Sequence, residues 1–194
     1  MRVVAGQYRG RRIQAPTGDT TRPTTDRVRE ALFSSLFSLR PEIFRGLRVL
    51  DAFAGSGALG IEALSRGCGG ATFAEADRTA LACLKANLAD LGIGGVARVV
   101  SGDVYALAQR GAIPGGPFAL LLLDPPYRLD ASESIGLVTA LGARDLLESE
   151  GLVVLEHAAG VVPPWPEGFA LLTRKRYGTT EIDITVYERG AATP

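Results

Sequence analysis

Residues 47–64 read Leu-Arg-Val-Leu-Asp-Ala-Phe-Ala-Gly-Ser-Gly-Ala-Leu-Gly-Ile-Glu-Ala-Leu, and no other stretch restricts the fold as much. Residues 47–53 are a short, mostly apolar run suited to a buried parallel strand. Gly55, Gly57 and Gly60 follow, and a helical pattern continues beyond them. The unit is therefore a strand, a glycine turn and a helix. Glycines allow a tight turn and a close approach to a ligand, because each lacks the Cβ that would clash. The spacing also matches G-x-G-x-x-G, which by itself says little.

Asp51 makes the match informative. A dinucleotide site sets pyrophosphate against the turn and the helix N-terminus, where a carboxylate at the strand's end would repel it. A cofactor without phosphate and with positive charge, such as S-adenosylmethionine with its ammonium and sulfonium groups, tolerates Asp51. The alternative is that Asp51 only accepts hydrogen bonds from glycine-loop amides, and the two roles can coexist.

From residue 47 onward, strands alternate with helical patterns. Strands are predicted at 47–53, 71–75, 96–101, 118–123, 151–156, 169–176 and 181–188, and helices near 57–66, 78–91, 103–110 and 131–147. Alternation of this kind implies an α/β fold, a parallel sheet with helices on both faces. The last two strands are joined only by Tyr177-Gly-Thr-Thr180, too short for a parallel crossover, so they form an antiparallel hairpin. At 194 residues the chain fits one ordinary domain with a small extension. The reading divides it into a basic hairpin and helix at 1–40 and a catalytic domain at 41–194.

The predicted strands end in chemistry-bearing residues, and in a parallel sheet those ends share one edge. The second ends Ala74-Glu75-Ala76-Asp77, where Glu75 can accept from ribose hydroxyls and Asp77 suits a helix cap. Asp103 after the third strand either accepts from an adenine amino group, with Val104 offering its amide, or caps the next helix. The fourth ends Leu-Leu-Leu-Asp124-Pro125-Pro126-Tyr127. Two prolines fix φ and remove backbone donors, giving a stiff extended loop. Asp124 and the Pro125 carbonyl present adjacent acceptors and Tyr127 a ring, a set that would hold an exocyclic amino group by its hydrogens and stack on its base. Acceptors on both hydrogens favour a more tetrahedral, more nucleophilic nitrogen, so positioning and electrostatics suffice without a metal.

Charge is uneven. Residues 1–48 hold ten arginines against four acids, +6, so the remainder of this neutral chain carries −6. Arginine forks match phosphate oxygens, so a nucleic-acid backbone is the expected partner, although nineteen arginines against two lysines also mark a general bias. Residues 2–5 and 11–15 read as a hairpin whose Tyr8, Arg9, Arg11 and Arg12 could track a backbone and stack on a base, or merely solubilise the surface. The helix after it is expected to be capped by Thr24 or Thr25 and to pack through Val28, Ala31, Leu32, Ser35, Leu36 and Leu39. Arg22, Arg27 and Arg29 are left for solvent or ligand. No apolar run approaches membrane-spanning length and no signal-peptide pattern is present, so a cytoplasmic chain is expected. Cys68 and Cys83 have no metal spacing and read as reduced thiols. With one histidine, His157, a histidine metal cluster is excluded, and a structural role for it is expected. Nothing calls for more than a monomer.

Asp51-Ala-Phe-Ala-Gly-Ser-Gly57 and Asp124-Pro-Pro-Tyr127 resemble the cofactor and amino-group loops of class I S-adenosylmethionine-dependent methyltransferases. Arg2-Val-Val-Ala-Gly-Gln-Tyr-Arg-Gly-Arg-Arg12 and Arg22-Pro-Thr-Thr-Asp-Arg-Val-Arg-Glu-Ala-Leu-Phe33 narrow this to the bacterial RsmD family, whose likeness covers nearly the whole chain. The resemblance implies a Rossmann-like seven-stranded sheet in the order 3-2-1-4-5-7-6 with strand 7 antiparallel. It implies transfer of methyl from S-adenosylmethionine to N2 of a guanine in 16S rRNA, in the small ribosomal subunit or an assembly intermediate. The cofactor residues would be Asp51, Phe53, Gly55, Gly57, Glu75, Ala76, Asp103 and Val104, and the target loop Asp124, Pro125, Pro126 and Tyr127. Tyr8, Arg9, Arg11, Arg12, Arg22, Thr24 and Arg27 would meet RNA. The competing readings are a DNA adenine-N6 or protein glutamine methyltransferase, a nicotinamide-dependent oxidoreductase, and a noncatalytic RNA-binding domain.

Overall fold

The computed structural model of the chain describes residues 1–16, 25–126 and 130–190; Arg22, Thr24 and Tyr127 lie outside them. The sheet has seven strands in the order β3-β2-β1-β4-β5-β7-β6. These are β1 (Arg48–Asp51), β2 (Gly70–Glu75), β3 (Ala97–Ser101), β4 (Phe118–Leu123), β5 (Leu147–Ala158), β6 (Phe169–Tyr177) and β7 (Thr180–Tyr187). β1 to β5 are parallel, and β7 runs antiparallel to both its neighbours. This is the order, with an antiparallel seventh strand, that the resemblance implied. After β1 the chain steps outward to β2 and β3, then returns to lay β4 on the other side of β1, which opens a crevice at the carboxyl ends of β1 and β4.

Alternate residues of the central strands feed two cores. Val49, Leu120, Leu122 and Val154 pack under α1 (Asp26–Leu39), α2 (Ala58–Ser65) and α3 (Arg78–Leu91). Leu50, Leu121, Leu123 and Val153 pack under α4 (Val104–Gln109) and α5 (Ala131–Ala143). β4 is buried along its whole length, which is why it reads as an unbroken apolar run. Among the described residues no helix is long and apolar enough to cross a membrane.

The structure departs from the sequence reading in four places. β1 stops at Asp51, because Ala52 and Phe53 already belong to the turn. Helix α5 ends at Ala143 and β5 begins at Leu147, not 151. Asp145 and Glu150 at φ +56° and +64°, with a register shift opposite Phe118 and Leu120, mark an irregular strand entry whose Glu-Ser-Glu-Gly sequence hides the alternation.

The N-terminal hairpin shrinks to one antiparallel bridge, Arg2 with Arg12. Val3, Gly10 and Ile13 N–H still donate across the hairpin, but other backbone donors turn to the body: Val4 and Ala5 N–H to Glu62 at 2.8 and 3.1 Å, Tyr8 N–H to Ser65 Oγ at 3.0 Å, and Gln14 N–H to Asn87 Oδ1 at 2.8 Å. The hairpin therefore lies along α2, and Val3 and Ile13 share a core with Phe33 and Ile61. Gly6, at φ +84°, fits because a Cβ there would lie 1.8 Å from the Ser65 carbonyl oxygen.

The fourth departure is Arg29. Thr25 caps α1 as expected, its Oγ1 accepting from Val28 N–H at 3.3 Å. The helix is rotated, however, so that Arg29, Leu32, Phe33, Ser35 and Leu36 face inward while Leu39 is 43% exposed. Arg29 is 0% exposed because Glu62, equally buried, faces it at 3.7 Å, and Asp26 Oδ1 accepts from its Nη2 at 2.7 Å.

Candidate functional site

The last residue of β1 is Asp51, 1% exposed. Its Oδ2 accepts from Gly60 N–H at 2.9 Å. Its Oδ1 is buried with no hydrogen-bond partner among the described residues. Gly60 permits this approach, since a Cβ there would meet the Phe73 ring at 2.3 Å and Asp51 Oδ2 at 3.1 Å. Burial pushes the Asp51 carboxyl up to about 7; the Gly60 hydrogen bond opposes this and the charge of Glu75 adds to it.

Glu75, at the end of β2, holds the glycine loop from the other side. Its Oε2 accepts from Gly55 N–H at 2.7 Å, and its Oε1 accepts from Ala76 and Asp77 N–H, each at 2.8 Å. Gly55 has φ +54° and faces open space where a Cβ would stand. Asp77 caps α3 through Ala80 N–H at 2.8 Å. Asp103 caps α4 through Tyr105 N–H at 2.8 Å, and Val104 is the first residue of that helix. Phe53 lies 6.0 Å from the Tyr105 ring. An open glycine loop flanked by two carboxylates, one with an orphaned buried oxygen, suits a ligand bearing an ammonium and hydroxyls. A pyrophosphate would face both acids.

Across the switch point, Asp51 pairs with Leu122, so Asp124 lies two residues further along the neighbouring strand. Asp124, Pro125 and Pro126 line a cleft of about 220 Å³ together with Asp130, Glu156 and Thr180. His157 also borders it, but its ring is buried with Nε2 at 3.3 Å from Asp183 Oδ1. Asp183 is enclosed as well. Burial raises its carboxyl, but hydrogen bonds from Arg174, His157 and Trp165 outweigh that and hold it well below the usual carboxylate range. Among the described residues no cluster of three or more His, Cys, Asp or Glu could hold a metal ion.

The basic residues are placed differently from the acids. Tyr8 is half-buried against the core, with its N–H on Ser65 at the C-terminal end of α2. An eight-residue helix, roughly 12 Å long, separates that end from the glycine loop. Arg9 and Arg12 are exposed on the same hairpin, Arg11 donates to the Asp90 carbonyl at 2.5 Å, and Arg27 is exposed in the first turn of α1. The fold thus gathers Asp51, Glu75, Asp103 and Asp124 at the carboxyl edge and sets the hairpin arginines along the flank. Sequence reasoning missed Asn87, whose Nδ2 donates to the carbonyls of Gln14 at 3.0 Å and Ser56 at 2.9 Å and so ties the hairpin to the glycine loop. It also missed Glu62, for which the one signal was an acid inside an otherwise apolar helix.

A family model described as conserved hypothetical protein 95 matches residues 1–186. Ribosomal RNA small subunit methyltransferase D of Escherichia coli K12 is 37% identical over 192 residues, 98% of this chain and 91% of that protein. The chain belongs to the RsmD family. YlbH of Bacillus subtilis is 39% identical over 185 residues, 95% of this chain and 97% of its own. The solved structure of yhhF from Escherichia coli superposes with a TM-score of 0.82 at 38% identity, covering 97% of this chain and 98% of that one.

In this RsmD-family chain the state of Asp51 gives a pH test. A bound ammonium favours the ionised carboxylate, so affinity for S-adenosylhomocysteine is expected to rise with pH through about 7. Calorimetry at pH 6 and pH 8 is expected to show a gain of about tenfold, which Asp51→Asn flattens. An equal slope in the Asn variant would separate Asp51 from the ammonium.

Proposed function

We propose that this chain transfers a methyl group from S-adenosylmethionine to the exocyclic N2 of a guanine in 16S rRNA, within the small ribosomal subunit or an assembly intermediate. The observation that carries this reading is the Asp124-Pro125-Pro126 cleft standing one strand away from the carboxylate-flanked glycine loop. When bound, S-adenosylmethionine supplies an electrophilic methyl on its sulfonium. Asp51 would meet the ammonium with its orphaned oxygen, Glu75 the ribose hydroxyls, and Asp103 and Val104 the adenine, with Phe53 and Ala76 lining the space between. Gly55 and Gly57 keep the backbone out of the way.

Asp124 and the Pro125 carbonyl would hold the two amine hydrogens, which makes the nitrogen lone pair more available and fixes its direction. Pro126 stiffens that loop, and Tyr127 would stack on the base. Exposed Arg9, Arg12 and Arg27, with Arg11, Arg22, Thr24 and Tyr8, would meet the phosphate backbone beyond the reacting nucleotide. Relatives named as rRNA methyltransferases support the substrate class. Calorimetry divides this reading from an oxidoreductase: S-adenosylhomocysteine is expected to bind and NAD is not. Binding of NAD alone would overturn the methyl-donor site.

A further inference from the structure

We propose that Glu156 selects the base: its carboxylate accepts the N1–H of the target guanine while Asp124 accepts from N2. This rests on the guanine-N2 reading above and names what distinguishes guanine in that cleft. Leu123 of β4 pairs with Leu155 of β5. The next residues, Asp124 and Glu156, therefore leave adjacent parallel strands at the same level and towards the same face, on strands about 4.8 Å apart. Leu155 is wholly buried, whereas Glu156 and Asp124 are half-exposed and line the same cleft of about 220 Å³. Each of the two residues already has another interaction. A carboxylate has about four acceptor positions, so room remains for a base N–H.

Asp124 alone suits any planar amino group. The second carboxylate removes that ambiguity. Beside its N2 amine, guanine carries N1–H, another donor. Beside the N6 amine of adenine, or the N4 amine of cytosine, stands a bare ring nitrogen whose lone pair would face the Glu156 carboxylate and be repelled. Two acceptors side by side therefore match two donors side by side, and a site built for a hydrogen-bond donor rejects the analogue that lacks it.

The test uses the full chain with small subunits reconstituted to carry either guanosine or 2-aminopurine at the target position. 2-Aminopurine keeps the N2 amine but has a bare N1. The unaltered chain is expected to prefer guanosine by about a hundredfold in single-turnover transfer. Glu156→Gln, whose amide can donate to a bare N1, is expected to slow guanosine and to narrow that preference by about tenfold or more. Glu156→Ala is expected to slow guanosine and narrow the preference without improving 2-aminopurine. S-Adenosylhomocysteine affinity should stay unchanged in both variants, which separates a lost base contact from a damaged fold. An unchanged preference in both variants overturns the role of Glu156 and leaves the guanine-N2 reading standing. Absence of transfer to guanosine by the unaltered chain overturns both.

Discussion

Asp124→Ala is expected to slow methyl transfer by about a thousandfold or more while leaving S-adenosylhomocysteine affinity nearly unchanged. The two effects separate because Asp124 directly follows β4, whereas the groups around the glycine loop come from β1 and β2. An aromatic amine is a weak nucleophile while its lone pair is delocalised into the ring. Removing one of its two acceptors returns it to that state and loosens its aim. Asp124→Asn keeps an oxygen acceptor and most of the shape, so it should retain more activity than alanine. Single-turnover transfer measured beside calorimetry checks both halves. Transfer at an ordinary rate by the alanine variant would remove Asp124 from the chemistry.

Glu62→Ala is expected to cost about 3–5 kcal/mol of stability, the scale of breaking a buried ion pair by removing one partner. Glu62 receives Val4 and Ala5 N–H, Arg66 Nε at 2.7 Å and the face of Arg29. Its loss leaves the wholly buried Arg29 guanidinium without its carboxylate on that side and two hairpin amides without their acceptor. For a chain of this size, with about 2–4 °C per kcal/mol, the melting temperature should fall by about 10 °C. Amide exchange at Val4 and Ala5 should accelerate beyond the global change, because the hairpin is released from α2 first. A melting temperature shifted by only a degree or two would mean that Val3 and Ile13, with the bonds to Ser65 and Asn87, seat the hairpin without Glu62.

The sheet and the gathering of acidic residues at its carboxyl edge were legible in the sequence because their signals are local. The apolar run 118–123 ends in Asp-Pro-Pro, and no nearby residue contradicts an extended, donor-poor loop. The short link after Tyr177 dictates an antiparallel β7 whatever the rest of the chain does. Asp51 was readable by its charge alone, although its orphaned oxygen and upward-shifted carboxyl needed the packing of Gly60 and Phe73. Other features depend on distant partners. Arg29 looked like a surface cation because arginine usually is one, and its burial becomes tolerable once Glu62, far along the chain, joins Asp26 as a partner. The hairpin looked free because its outer amides have no local acceptors; Glu62, Ser65 and Asn87 supply them. The alignment of Leu123 with Leu155, which sets Asp124 and Glu156 at one level, depends on a register that the irregular entry of β5 conceals.

The decisive measurement starts from small ribosomal subunits that lack the methyl mark, incubated with this chain and methyl-labelled S-adenosylmethionine, followed by mapping of the label. Label on N2 of a guanine in 16S rRNA, with none on DNA or protein, is the expected result. Label on an adenine N6, on DNA or on a protein glutamine, or no transfer at all, would contradict it.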